Sequence, residues 1–104
     1  MTMNGRKTTY TYPALFTKES GGGYSVRFPQ LDGCFTQGDT MDEAQRMAAE
    51  AMALHLFGME EDGARIPDSD FDGIAAKRGE LVVPITAWMT PFREETHNLH
   101  MYNP

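Results

Sequence analysis

Crosslinks, membrane spans and basic patches are what this sequence does without. Its one cysteine, Cys34, cannot close an internal disulfide, so a bridged scaffold is excluded and a reducing compartment is implied. No apolar run approaches the roughly 20 residues that a membrane-spanning helix needs. The polar stretch Met1 to Lys7 lacks the apolar core of a secretory signal. A soluble, cytoplasmic chain without a membrane role is expected. Lysine and arginine number nine against fifteen aspartates and glutamates, a net charge of -6. Phosphate recognition needs clustered cations, so this balance argues against a general nucleic-acid binder. Two readings of the acidity stay open: plain solubility, or complementarity to a basic partner, whose encounter an opposite field speeds and orients.

What is present suffices for one domain. A chain of 104 residues with 40% apolar side chains can bury a core without metal or disulfide support. Residues 8–96 are expected to form a single domain, with 1–7 and 97–104 as flexible termini.

Between Thr8 and Lys18, Tyr10, Tyr12, Ala14 and Phe16 alternate, which puts them on one face of a strand. Pro13 interrupts that run. It calls for an edge, a bulge, or a position where its missing N–H faces away from a neighbouring strand. After the Gly21-Gly22-Gly23 turn, a second strand points Tyr24, Val26 and Phe28 inward. A second turn leads to a short third strand from Cys34 to Gln37. Links this short make an antiparallel meander.

Thr40 and Glu43 then have the spacing of a capping box. A helix is predicted from Met41 to about Gly58 or a little beyond. Ala44, Ala48, Ala51 and His55 share one stripe, flanked by Met41, Met47, Met52 and Leu54. A methionine-rich helix suits either core packing or an adaptable binding face. Gly63 to Gly79 is a polar connector, with a short turn of helix expected near Gly73 to Lys77. In the fourth strand, Leu81 to Trp88, both faces are largely apolar, which suggests burial on both sides or cover from another subunit. Thr90-Pro91 has the form of a helix start.

The expected fold is α+β with the order β-β-β-α-β-α. It comprises a three-stranded antiparallel meander and a fourth strand parallel to the first, joined by a helical crossover. One long helix packs on the sheet.

From Tyr12 to Leu56 the sequence reads YPALF, a glycine-rich hairpin, GYSVRFPQLDGCFTQGDTMDEA, and an alanine-rich helix ending in ALHL. This block resembles the N-terminal domain of HicB antitoxins, which carry Tyr-Pro-Ala, Gly-Tyr, Phe-Pro, Leu-x-Gly-Cys, Gly-Asp-Thr and Glu-Ala at this spacing. Gly79 to Thr96 is similar to the family's later strand and short helix. The resemblance implies a partial ribonuclease-H-like fold and an antitoxin role. Its partner would be a small basic HicA-like ribonuclease that cleaves messenger RNA with a histidine and whose active site the antitoxin covers. It also implies homo-oligomers, dimers or tetramers. Many members carry a C-terminal DNA-binding module and repress their own operon. Only eight residues follow Thr96, too few for such a module, so DNA binding by this chain alone is not expected. Autorepression with a partner is the alternative function.

A metal-dependent nuclease is the other alternative, and it needs carboxylates converging on paired ions. Neither Thr8 to Lys18 nor Leu81 to Trp88 contains one, and Glu43 is already explained as a cap. Cys34 would need a neighbouring base to act as a nucleophile, and His55 reads better as a packed side chain. His97 and His100 have a metal-compatible spacing on a tail. Asp68, Asp70 and Asp72 hint at a calcium loop but lack the closing glutamate, so a solvated acidic linker is the default. No cofactor or metal is expected. Candidate partner contacts are Asp42, Glu50, Asp68, Asp70 and Asp72. Candidate self-association residues are Val83, Ile85, Trp88 and Phe92, since apolar strands and aromatics either close a core or anchor an interface.

With no carboxylate on the first or fourth strand, the chain should cleave neither RNA nor DNA with magnesium or manganese. A metal-dependent activity that Glu43→Gln or Glu50→Gln abolishes, with folding intact, would overturn that expectation.

Overall fold

The computed structural model describes residues 7–91 and residue 93. The chain runs through β1 (Thr9–Lys18), β2 (Tyr24–Arg27), β3 (Phe35–Gly38), α1 (Met41–Asp62) and β4 (Glu80–Trp88). The sheet order is β3-β2-β1-β4. Residues 89–91 and 93 are helical, so this turn opens one residue before Thr90.

All pairings are antiparallel, including β1 with β4, which runs in register from Thr9↔Trp88 to Thr17↔Glu80. The fourth strand is therefore antiparallel to the first, not parallel as expected from a simple crossover. The connector explains the difference. Helix α1 runs back over the sheet and ends beside the start of β1, where Tyr10 donates a hydrogen bond to Glu60. A strand beginning there would run parallel to β1. Residues 64–79 instead return to the far end of β1, and at about 3.3 Å per residue they reach well beyond the length of a strand. The Tyr12 hydroxyl holds the Pro67 carbonyl, Gln30 Oε1 accepts from the Asp70 N–H at 3.1 Å, and Glu80 Oε1 accepts from the Lys77 N–H at 2.7 Å. These contacts guide the return. No helix forms near Gly73 to Lys77; the chain there is turn and coil.

Pro13 sits in a central strand, directly opposite Pro84. Neither proline has an N–H, so the pair must occupy a position without ladder bonds, and the alternate pairs around it carry them. The missing donor of Pro13 then faces β2, whose pairing with β1 stops at Leu15↔Arg27. That of Pro84 faces outward from the free edge of β4.

Helix α1 begins as its sequence predicts. Thr40 Oγ1 accepts from the Glu43 N–H at 3.0 Å, and Glu43 Oε1 accepts from the Asp39 N–H at 2.5 Å. It runs through Gly58 to a Schellman end at Gly63, whose φ is 70°. There Gly63 and Ala64 donate back to Glu60 and Met59. The buried stripe is Ala44, Ala48, Met52 and Leu56, with Ala53 beside it. It lies one residue further round than the stripe read from the sequence: Ala51 and His55 are only partly buried, and Leu54 is exposed. Turning Met52 and Leu56 inward buries more apolar surface than turning Ala51 and His55 inward. Against this stripe the sheet sets Tyr10, Tyr12, Ala14, Phe16, Val26, Ile85 and Ala87, closed by Phe28, Leu31 and Met89.

Leu56→Ala should lower stability by about 2–5 kcal/mol, whereas Leu54→Ala should change it by less than about 0.5 kcal/mol. Urea unfolding midpoints measure both, and the reverse order would contradict the orientation of α1.

Candidate protein-interaction surface

The candidate contacts fall into two groups. Asp42 and Glu50 are exposed on α1, while Asp68, Asp70 and Asp72 are exposed on the connector. Asp42 lies 3.8 Å from Arg46 one turn on, both well exposed, a pairing of small energetic weight. Asp70 builds the chain around it: its Oδ1 accepts from the N–H groups of Asp72 and Gly73 at 3.0 and 3.1 Å. This is an Asx turn, and it gives Asp70 a local structural role. Among the described residues, no three His, Cys, Asp or Glu side chains are grouped to hold a metal ion.

The charge is unevenly placed. Helix α1 holds six carboxylates (Asp42, Glu43, Glu50, Glu60, Glu61 and Asp62) and one cation, Arg46. Six against one gives -5, nearly all of the chain's -6. Three of the six stand in the last turn, which has no basic residue. Carboxylates there oppose the helix dipole.

One of those three is turned inward. Glu60, with a side chain 1% exposed, receives Arg93 through Nε to Oε1 at 3.0 Å and Nη2 to Oε2 at 2.6 Å. Tyr10 Oη adds a bond to Oε2 at 2.9 Å, and Arg93 Nη2 also donates to the Lys7 carbonyl at 2.8 Å. Burial first, and then the Glu60 carboxylate, push the Tyr10 phenol above its ordinary range. Tyr12, stacked on Tyr10 at 6.4 Å, is pushed to about 12, chiefly by burial. Sequence reasoning missed this cluster. Its members lie up to 86 residues apart, and only the antiparallel return of β4 brings Arg93 to α1.

The self-association candidates divide between the two faces of β4. Ile85 is in the core at 4% exposure, and Val83 packs against it. Trp88 projects from the opposite, open face at 64% exposure. Phe92 lies outside the described residues, as do His97 and His100. Among the described residues, the expected two-sided burial of β4 is not seen: one face is covered by α1 and the other is open. Phe35, 71% exposed, and Val82 join Trp88 there. Phe35 was legible in outline, because the alternation that turns Cys34 inward turns its neighbour out. On the same face, Arg27 and Glu80 pair at 2.9 Å. The Lys77 N–H, and then Arg27, hold the Glu80 carboxyl below its usual range.

The environment of Cys34 does not favour a nucleophile. Cys34 is buried, and burial pushes its thiol up to about 11, so the reactive thiolate is scarce near neutral pH.

Fold and surface together define a class: a small α+β domain with one acidic helix, a covered sheet face and an open one. Residues 12–80 match the family described as HicB-like antitoxin of bacterial toxin-antitoxin system. The chain belongs to this HicB-like antitoxin family. It is 39% identical over 56 residues to "Antitoxin HicB 1" of Photorhabdus laumondii, covering 54% of this chain and 36% of that protein. It is 42% identical over 59 residues to an uncharacterized 14.9 kDa protein of Haemophilus phage HP1, covering 57% of this chain and 44% of that protein. The chain therefore matches less than half the length of these two relatives. Among solved structures, the Burkholderia pseudomallei antitoxin HicB aligns with a TM-score of 0.63 at 25% identity, over 73% of this chain and 61% of that one. A chain of the HicA3 and HicB3 toxin-antitoxin complex aligns with a TM-score of 0.57 at 26% identity, over 73% and 95%.

Proposed function

We propose that this chain is the antitoxin of a type II toxin–antitoxin pair. It binds a small, basic, messenger-RNA-cleaving toxin of the HicA kind in the cytoplasm and silences it by covering its active site. The observation that carries this reading is the concentration of the net charge on one helix of a domain that belongs to an antitoxin family. A ribonuclease must attract RNA, so its working surface is cationic, and an acidic helix complements it. The reading makes the chain a non-catalytic inhibitor. Its acidity weighs against the alternative of DNA-binding autorepression.

Asp42, Glu50, Asp68, Asp70 and Asp72 act as steering charges at the rim of the contact. Rim charges govern the rate of encounter more than the lifetime of the complex. The test uses the small basic protein encoded beside this chain's gene, in stopped-flow binding at low and moderate salt and in an RNA-cleavage assay. Wild-type chain at equal stoichiometry should abolish cleavage. Changing the five carboxylates to amides should slow association while leaving dissociation nearly unchanged. A folded, basic, active neighbour that is neither bound nor inhibited would refute the proposal.

The same chain self-associates through the open sheet face around Trp88, with Val83 and Ile85 supporting that strand from the core side. Light scattering at tens of micromolar should show a dimer or tetramer, and Trp88→Ala should shift it toward monomer. A clean monomer for the wild-type chain would count against this assembly.

A further inference from the structure

The outward side of α1 carries more than charge. Met47, Glu50, Leu54 and Gly58 follow one another at intervals of three, four and four residues, which stacks them into one seam along the helix. The seam faces away from the stripe of Ala44, Ala48, Met52 and Leu56 that packs on the sheet. Leu54 is 61% exposed and Met47 38%. A Cβ added to Gly58 would meet nothing within 4 Å, and Gly58 is not among the glycines of positive φ. Among the described residues, no turn, close approach or backbone conformation asks for glycine there. A glycine inside a helix costs about 1 kcal/mol relative to alanine.

Two features of one helix thus work against its own stability or solubility: an interior glycine for which the described residues show no internal reason, and exposed Leu54 and Met47. Such local conflicts are expected where a surface serves something outside the chain. They also agree with one another about what that is. Gly58 leaves a notch in which another chain can approach the backbone, and Leu54 and Met47 supply apolar contact beside it. The exposed carboxylates of Glu50 and Asp62 and the negative dipole end of the helix select for cations.

We propose that this seam of α1 is the docking site of the basic partner. An apolar side chain of that partner seats over Gly58 against Leu54, with lysines or arginines ranged at the edges around Glu50 and Asp62. The proposal rests on the antitoxin reading and adds the surface that performs it. The open sheet face differs in kind. On it Arg27 and Glu80 are already paired with each other, and that pair offers no net attraction to a cationic protein. It lies on the other side of the sheet, so copies stacked through it leave both α1 seams accessible.

The test is calorimetric titration of the full chain with the small basic protein encoded beside its gene, together with thermal melts of each variant. Gly58→Gln should raise the melting temperature, because glutamine favours helix, and yet weaken binding by about tenfold or more. Leu54→Asp should weaken binding to a similar degree with the fold retained. Trp88→Ala and Phe35→Ser should leave the affinity within about threefold of wild type. Wild-type affinity in both seam variants would overturn the assignment while the antitoxin reading stands, and so would loss of binding confined to the sheet-face variants. A wild-type chain that neither binds nor inhibits the neighbour would overturn both.

Discussion

The whole arrangement depends on how closely α1 lies against the end of β3. A Cβ on Gly38 would stand 2.5 Å from the Ala44 nitrogen and 2.6 Å from its Cα. The backbone of the first helical turn therefore occupies the space that any side chain at position 38 would need. Ala44 and Ala48, both fully buried, continue that close approach along the helix. Large side chains enter only where the gap widens, at Met52 and Leu56. Once the inner stripe is set, the outer seam follows from helical geometry alone.

At the other end of α1 the constraint is electrostatic. A carboxylate as buried as Glu60 is costly unless its oxygens are satisfied. Arg93 in a two-pronged approach, with Tyr10, satisfies them. The helix is thereby held at its start by backbone contact and at its end by an ion pair. That pair also ties down the beginning of β1 and the segment after β4.

Local features of the fold were open to reading from the residues. The period-two alternation of Tyr10 to Phe16, the capping box at Thr40 and the hairpin glycines are each decided within a few positions. The direction of β4 was not. It depends on whether a polar connector crosses the sheet again, and the contacts that guide it, from Tyr12 to Pro67 and from Gln30 to Asp70, join residues 40 to 55 apart. The rotation of α1 was missed by one position because alanine, methionine and histidine are too alike in patterning to define a sharp stripe. The acidic surface was legible in part: Asp42 and Glu50 are exposed on the charged helix, whereas Asp70 turned out to shape a turn. Family membership was the most legible property of all, since its motifs lie in turns and caps where local chemistry dictates the residue.

The facing prolines bear on what kind of assembly this chain can enter. A free strand edge with an unbroken row of donors and acceptors accepts another strand, which exposes a new edge for the next, so growth has no natural end. Pro84 removes a donor from the middle of the nine-residue edge of β4, and β3, at the other edge, has only four residues. Neither edge offers a long template. Open-ended strand addition, copy upon copy, is therefore disfavoured at both edges.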